Sequence, residues 1–420
     1  MIVDSRATIG VPRVRAAATS AENFITNGDY LTCLEINQRD LSVLGQDRTV
    51  PTPNLTRGLA QLSNSIFASL GVSGLADEMA IGESPSGREC FVLIDGMGQA
   101  AIDKYGSYFP IFAQFLAQPS ISSYFPSTTA VSLSSIGTGV LPGVHGMLGY
   151  TVRVPRSGEP GRLLNSLKWD ERVDPVIWQS TKTLFERATQ HGVSVTHVAA
   201  KRYEGSGFTQ AALRGATYLG ANQIADIANG AAASLKKSPS YAYVYINHLD
   251  AAGHDEGVGS EKWFAACLSI EELLKALLHK LPKGTRIWVT SDHGMVNVAE
   301  KIILGQDNSL MNNVTLVGGE PRARHIYLRE GSEQETAIDW REQLGEYADI
   351  YTRTEAIAAG LFGAEVSLDS SERMGDLIAI AKGGAILIDP TRVSQESAMV
   401  GHHGGLETAE TSIPLFTQTI

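Results

Sequence analysis

Four short apolar segments, each ending in polar residues or glycine, recur along the chain. They are CFVLIDGMG at 90–98, VSVTHVAA at 193–200, YAYVYINHLD at 241–250 and RIWVTSDHGM at 286–295. Such continuous apolar runs are typical of strands buried on both faces. Segments with helical spacing lie at 100–118, 179–190, 221–236 and 260–280. The alternation predicts an α/β fold, a doubly wound, mostly parallel sheet with helices on both faces.

The same pattern divides the 420 residues into four parts. Residues 1–53 are polar and weakly patterned, which predicts an N-terminal arm or a small appendage. Residues 54–300 carry the repeated strands and helices and form the main core. Residues 301–385 predict a smaller α+β insert, and residues 386–420 return to the core with a Gly/His-rich segment.

Within the insert, VTLVGGEPRARHIYLREG and MGDLIAIAKGGAILIDP resemble antiparallel strands around a helix near 333–344. Arg322, Arg324 and His325 interrupt the first of these apolar stretches. Charged side chains are rarely buried unless they are paired. We therefore expect these three residues to lie on a surface strand.

Composition narrows the classes of function. The chain has 34 Lys and Arg against 45 Asp and Glu, a net charge of −11, which argues against binding a nucleic-acid polymer. Cys33, Cys90 and Cys267 are far apart and form no CxxC motif, so a reducing compartment is expected. No apolar stretch is long enough for a membrane span, and no signal peptide is apparent. A cytoplasmic protein that does not contact membranes is the expectation.

Aspartate and histidine collect where the predicted strands end, the edge at which open α/β sheets bind ligands. The positions are Asp95, Asp250, His254, Asp292, His293 and the pair His402-His403. An Asp at a strand end is often only a helix N-cap. Carboxylate and imidazole together, without thiolate, suit zinc, with manganese or iron as alternatives. Three Asp and three His, with one histidine counted from the pair, are too many ligands for one open site and suffice for two metals about 3.5–4 Å apart.

A Ser/Thr-rich segment, SYFPSTTAVSLSSIGTGVLPGVHGMLGY at 123–150, runs into a stretch that is compatible with a helix. Its threonines could simply cap that helix. A hydroxyl at a helix N-terminus is also well placed to attack phosphorus, because the helix dipole favours an anion there. The residues alone leave both interpretations open.

These pieces, in this order, resemble the alkaline phosphatase superfamily and, within it, the type I phosphodiesterase/nucleotide pyrophosphatase family. The matching segments are LIDGMG, FPSTTAVSLSSIGTG, DAAGHDEG, SDHGM and GHHGG, and the resemblance spans about residues 57–410. It implies an alkaline phosphatase-like fold and a hydrolase of phosphoester bonds that uses two Zn²⁺.

The resemblance assigns the ligands residue by residue. One zinc would be bound by Asp250, His254 and His403, and the other by Asp95, Asp292, His293 and the nucleophilic hydroxyl. In the family the last histidine directly precedes a glycine, which selects His403. His402 would then pack or line the entrance.

The family's nucleophile is the Thr three residues after a Pro, which selects Thr129 over Thr128 because Thr129 is the third residue after Pro126. The implied mechanism passes through a phosphothreonine intermediate on Thr129. Nucleotide pyrophosphatases place an Asn shortly after an HG pair, to hold a phosphate oxygen. Here Tyr150 stands at that position and would be the substrate-binding residue, with a phenol that donates one hydrogen bond.

The expected substrate is a small phosphoester, which could be a nucleotide. A phosphomonoesterase or phosphonate hydrolase of the same superfamily is the first alternative. A non-catalytic, metal-stabilised binding protein is the second, although it would need no nucleophile. A dinucleotide-binding oxidoreductase is the weakest, because DGMGQA lacks the third glycine of the fingerprint.

Overall fold

The computed structural model describes the backbone of residues 30–32 and, in full, residues 55–158 and 161–420. The arm or appendage predicted for residues 1–53 lies outside the described residues, apart from one short strand, and stays a prediction. Within the described residues, the strands in chain order are β1 (Tyr30–Thr32), β2 (Arg88–Ile94), β3 (Leu116–Ser122), β4 (Thr151–Val154), β5 (Arg162–Asn165), β6 (Ser194–Ala199), β7 (Thr217–Gly220), β8 (Ser240–Ile246), β9 (Arg286–Thr290), β10 (Val296–Asn297), β11 (Glu300–Ile303), β12 (Val314–Glu320), β13 (Ala323–Leu328), β14 (Ala348–Thr352), β15 (Glu365–Ser367), β16 (Leu377–Ala381), β17 (Ala385–Ile388), β18 (Gly401–His402) and β19 (Ser412–Thr419).

The helices alternate with these strands. In the same part of the chain they are α1 (Leu59–Ser69), α2 (Gln99–Tyr105), α3 (Thr129–Thr138), α4 (Pro142–His145), α5 (Pro175–Trp178), α6 (Leu184–Gln190), α7 (Gly207–Ala212), α8 (Ile224–Ser234), α9 (His248–Glu256), α10 (Glu261–Lys280), α11 (Glu333–Leu344), α12 (Arg353–Ala358), α13 (Leu368–Arg373), α14 (Val393–Ala398) and α15 (Thr408–Thr411).

A seven-stranded sheet forms the centre of the fold, in the order β3-β19-β9-β2-β8-β6-β7. The strands from β9 to β7 are parallel, whereas β19 runs antiparallel to both of its neighbours. Alternate residues of β2 point to opposite faces: Phe91 and Leu93 pack into one apolar cluster, and Val92 and Ile94 pack into another. Helices α1, α3 and α6 contribute to the first cluster, and α8 and α10 to the second. The predicted doubly wound α/β sheet is therefore confirmed.

One predicted helix is wrong. The stretch 100–118 is helical only to Tyr105, continues as short 3₁₀ turns, and ends in the edge strand β3. Pro110 begins the second 3₁₀ turn, and Pro119 lies within β3. Proline is compatible with an edge strand because no ladder hydrogen bond needs its missing N–H. The neighbouring predictions at 221–236 and 260–280 correspond to α8 and α10.

A second, antiparallel sheet has the order β12-β13-β16-β14 and packs against α11, whose Trp340 is fully buried. This confirms the smaller α+β subregion. The surface placement of Arg322, Arg324 and His325 is wrong, because each is at most 1% exposed. Two of them form buried ion pairs that the local sequence does not reveal.

Those ion pairs join the second sheet to the C-terminal return of the chain. Arg322 donates from Nε and from a terminal nitrogen to the two carboxylate oxygens of Glu410, at 2.9 and 2.6 Å. Arg324 forms an ion pair with Glu396 and donates from Nε to the Leu387 carbonyl. Both acidic partners flank the GHHGG segment, so the insert fixes the position of that segment.

Two observations bear on the cellular setting. Cys90 and Cys267 are buried free thiols. Among the described helices, none combines the length and the apolar character that a bilayer crossing requires. The cytoplasmic location stays a prediction.

Candidate metal centre

Three parallel strands deliver the predicted ligands to one edge of the central sheet. Asp95 directly follows β2, and Asp292 and His293 follow the end of β9. Helix α9 begins after β8 and carries Asp250 and His254, one helical turn apart on the same face. The last candidate, His403, follows β18, which pairs antiparallel with β10.

The six side chains form two groups. Asp250, His254 and His403 make one, and Asp95, Asp292 and His293 make the other. Within each group the candidate ligand atoms lie within 4.8 Å of one another. The rings of His293 and His403 stack with centroids 3.6 Å apart, so the two groups adjoin.

Each histidine is oriented by a backbone carbonyl. The carbonyl oxygens of Gly401, Gly294 and Ser127 accept from Nδ1 of His254, His293 and His403, at 2.8, 3.0 and 3.0 Å. A carbonyl can only accept, so each Nδ1 carries the proton and each neutral ring keeps a lone pair on Nε2. This is the arrangement that metal-binding histidines use.

The carboxylate oxygens that face these nitrogens lack other partners. Oδ1 of Asp95, Oδ1 of Asp250 and Oδ2 of Asp292 are buried and accept no hydrogen bond from the described residues. Oδ1 of Asp250 lies 3.4 Å from Nε2 of His254. Oδ1 of Asp95 and Oδ2 of Asp292 each lie 3.4 Å from Nε2 of His293. Buried polar atoms seldom remain unsatisfied, so this donor set fits a divalent cation in each group.

Electrostatics favour a cation at the same place. Burial raises the pKa of Asp95 well above its usual value, and the charges of Asp292 and Asp250 raise it further. Burial also raises the pKa of Asp292. For His403, burial followed by the neighbouring rings of His293 and His254 holds the pKa well below its usual value. Crowded carboxylates and neutral imidazoles are both stabilised by positive charge between them.

The candidate nucleophile lies against the second group. Thr129 is the first residue of α3, and its Oγ1 lies 3.2 Å from Nε2 of His293. Thr128 is the N-cap residue, and its side chain forms no capping hydrogen bond. Both threonines line a cavity of about 260 Å³, together with Tyr150, Asp250, His254, His402 and His403.

Tyr150 and His402 occupy different parts of this cavity. The Tyr150 amide donates to Oε2 of Glu320 at 2.8 Å, and the Arg392 guanidinium lies 5.8 Å from the centre of its ring. His402 is 2% exposed, and its Nε2 donates to the Glu396 carbonyl at 3.3 Å. The structure thus places Tyr150 in the same cavity as Thr129, and packs His402 in the cavity wall.

Glycine permits the close approach of the segments that carry the ligands. Gly96 has φ of +76°, and a Cβ there would lie 3.0 Å from the Asp250 backbone. Any side chain would therefore push apart the strand end that holds Asp95 and the helix that holds Asp250. The glycine is required both for its positive φ and for the space.

Sequence reasoning missed two residues that support the ligands. The Tyr245 hydroxyl donates to Oδ2 of Asp95. Ser127 accepts from Nδ1 of His403 through its carbonyl, and its Oγ donates to the Gly405 carbonyl at 2.8 Å. The alternation along β8 gave a signal for Tyr245, because it places this side chain on the face of the sheet that the Asp95 side chain also occupies. Nothing local marks Ser127, whose partners lie more than 270 residues away.

Comparisons with solved structures agree with this fold. An inactive variant of murine ectonucleotide pyrophosphatase/phosphodiesterase 5 in complex with AMP superposes with a TM-score of 0.61 at 15% identity, covering 79% of this chain and 87% of that one. The human protein of the same name gives 0.60 at 16% identity, covering 78% and 87%. Phosphonoacetate hydrolase from Sinorhizobium meliloti 1021 in complex with phosphonoformate gives 0.60 at 18% identity, covering 80% and 90%.

At these identities the neighbours establish an alkaline phosphatase-like fold. A comparison with curated protein sequences gives no match. The sequence profile of the type I phosphodiesterase/nucleotide pyrophosphatase family matches residues 90–406, three quarters of the chain, from β2 to just beyond His403. The chain belongs to the type I phosphodiesterase/nucleotide pyrophosphatase family.

Proposed function

We propose that the protein is a two-metal phosphoester hydrolase, in first place a phosphodiesterase or nucleotide pyrophosphatase, with Thr129 as its nucleophile. The observation that carries the proposal is the convergence of six ligand-type side chains, with unpartnered oxygens and inward-facing Nε2 atoms, around the hydroxyl of Thr129. Zinc is the proposed metal, because the donors are carboxylate and imidazole without thiolate.

The ligand assignment follows the two groups. Asp250, His254 and His403 would hold one cation, and Asp95, Asp292 and His293 the other. When bound, two divalent cations would supply positive charge that stabilises the developing anion and lowers the pKa of the attacking hydroxyl.

The residues of the chain would perform the reaction in two displacements. Oγ of Thr129 gives up its proton to solvent and attacks phosphorus, so that the Oγ–P bond forms while the bond to the leaving oxygen breaks, and the leaving alkoxide takes a proton from solvent. Water then attacks the phosphothreonine and gives up a proton to solvent, the Oγ–P bond breaks, and the released Thr129 oxygen takes up a proton. The N-terminus of α3 adds partial positive charge beside the phosphoryl oxygens. The Tyr150 hydroxyl is proposed to donate to one of these oxygens.

A small phosphorus-containing substrate is the proposed ligand. One structural neighbour binds AMP and another binds phosphonoformate. A cavity of about 260 Å³ is at the small end for organic ligands, whose pockets usually measure about 300–1,000 Å³. The second candidate function is a phosphonate hydrolase or phosphomonoesterase, and the observation that favours it is Tyr150 at the position of the family's Asn.

The first experiment measures metal content and turnover of the same samples. We expect two zinc ions per chain and hydrolysis of bis(p-nitrophenyl) phosphate faster than of p-nitrophenyl phosphate. The Thr129→Ala variant should lose about 10³-fold or more in kcat while retaining its zinc. Thr128→Ala is the matched control, because it removes the adjacent hydroxyl of the same cavity and should retain most of the activity.

Each alternative has its own outcome in this experiment. A preference for the monoester would reverse the order of the two candidate functions. Full activity of Thr129→Ala together with loss in Thr128→Ala would move the nucleophile by one residue. A zinc-loaded wild-type protein without activity on any phosphoester or phosphonate would indicate a binding protein and refute the proposal.

A further inference from the structure

Two cavities meet at Arg392. The first, of about 260 Å³, is lined by Thr129 and by the group of candidate ligands that includes Asp250. The second, of about 420 Å³, is lined by Lys168 and Asn165 among others. Arg392 lines both cavities, so they adjoin at this residue.

The guanidinium of Arg392 is poorly satisfied by the protein. Its hydrogen bond to Oε1 of Gln395 measures 3.4 Å, and its ion pair with Oε1 of Glu396 measures 3.9 Å. Glu396 is already engaged, because its Oε2 accepts from Arg324 and from the Asp389 amide. An arginine offers five N–H donors, so most of those on Arg392 remain available to a ligand.

Two other arginines in this region, in contrast to Arg392, have protein partners for their N–H donors. Arg322 is fully buried and donates to Glu410 and to the carbonyls of Gly383 and Ala385. Arg324 is buried and paired with Glu396. These two have structural partners for their donors, whereas the side chain of Arg392 is 25% exposed and faces the cavities. Its position over the Tyr150 ring limits its orientations.

The charged residues of the adjoining cavity also favour an anionic ligand. Lys168 lines that cavity and has no acidic partner within salt-bridge distance among the described residues. Asp389 also lines it, but its Oδ1 accepts from the amide and the hydroxyl of Thr391. An anion that extends from Thr129 toward this cavity would therefore meet two cationic side chains.

We propose that Arg392, with Lys168 beyond it, binds a second anionic group on the substrate, a carboxylate or a phosphate, and so selects substrates that are charged at both ends. This rests on the proposed function, because it takes the phosphorus to lie at Thr129. Arginine recognises carboxylate and phosphate through paired N–H donors, and such charge-assisted bonds are stronger than those between neutral groups.

The test is a calorimetric titration of zinc-loaded protein, which needs no turnover. The probes are 3-phosphonopropanoate, ethane-1,2-diphosphonate and 3-methylbutylphosphonate. The third replaces the distal anion by an uncharged isopropyl group of similar shape. Zinc content is measured after each titration, so that chelation is recognised. The variants are Arg392→Met, Arg392→Lys and the control Arg156→Met, an exposed arginine that lines neither of the two cavities.

Wild-type protein should bind one or both doubly anionic probes about 10–100-fold more tightly than the alkyl probe. Arg392→Met should reduce that preference to within about 3-fold, Arg392→Lys should retain part of it, and Arg156→Met should leave it unchanged. The better of the two anionic probes identifies the distal group as carboxylate or phosphate.

Three results would overturn the inference: equal binding of all probes by the wild type, the same preference in Arg392→Met, or an equal loss for charged and alkyl probes, which would indicate a structural role. Because binding is read without catalysis, an inactive wild-type protein would refute the proposed function and leave this measurement decisive on its own.

Discussion

Replacing Asp292 by Asn should stabilise the metal-free protein and remove most of the extra stability that zinc adds. Asp292 is fully buried, and one of its carboxylate oxygens lies within 4.8 Å of a carboxylate oxygen of Asp95. At an effective dielectric constant of about 20, two charges at this distance repel by about 3 kcal/mol. Burial raises the pKa of both groups, so protonation of one of them makes the gain smaller than this upper limit.

The extra stability that the metal adds changes in the opposite direction. A cation present at about 100 times its Kd stabilises the fold by about 2.7 kcal/mol, and a 100-fold loss of affinity removes most of that. The Asn retains an oxygen that can accept from the Gly96 amide, as Oδ1 of Asp292 does at 3.2 Å, so the local backbone keeps its partner.

The assay is urea unfolding at pH 8, with chelator and with excess zinc, for wild type, Asp292→Asn and Asp389→Asn. Asp389 is also buried, but it lies outside both ligand groups and accepts from Thr391. The control should change stability equally in both conditions. If Asp292→Asn destabilises the metal-free protein as much as the loaded one, then Asp292 is a structural hydrogen-bond acceptor and the reasoning fails.

Other parts of the fold give three further predictions. His197 is buried, and neither of its ring nitrogens has a hydrogen-bond partner among the described residues. Burial lowers its pKa to about 3, so stability that is full above pH 6.5 should fall toward pH 3 by about 1.4 kcal/mol per pH unit. His197→Phe should lessen that acid sensitivity in a pH series of urea midpoints, and an unchanged slope would contradict this. Arg322→Met should lower the free energy of unfolding by about 3–5 kcal/mol, because it leaves the Glu410 carboxylate buried without its ion-pair partner. The double variant Arg322→Met with Glu410→Leu should recover most of that stability, and additive losses would show that the pair is not coupled. Tyr245→Phe removes the hydroxyl that orients Asp95 and should weaken zinc binding about 10–100-fold in competition with a chromogenic chelator, whereas unchanged affinity would show that the bond is incidental.

The sequence pattern predicts those site residues whose positions depend on their neighbours in the chain. Asp95 and Asp292 could be placed at one edge because apolar strands precede them directly, and parallel strands end at the same side of a sheet. His254 follows from its helical spacing to Asp250. These positions depend on a few neighbouring residues, which is the range over which a pattern is informative.

What the pattern misses depends on partners that are distant in the chain. Arg322 has the local signature of an exposed strand, yet its partner Glu410 lies 88 residues downstream and makes its burial tolerable. Ser127 orients His403 across 276 residues. The predicted helix at 100–118 overlaps the first three residues of the edge strand β3, which is extended because of its neighbours in the sheet and not because of its own periodicity.

The most direct test of the central claim is to trap the substrate's phosphorus on the protein. Zinc-loaded enzyme would be mixed with excess bis(p-nitrophenyl) phosphate, quenched in acid within one turnover, digested and mapped by mass spectrometry, with Thr129→Ala treated in parallel. The account predicts a phosphoryl ester on Thr129 in the wild-type protein and none in the variant. An ester on Thr128 or on another residue, or rapid turnover with no covalent adduct and with activity retained in Thr129→Ala, would contradict it.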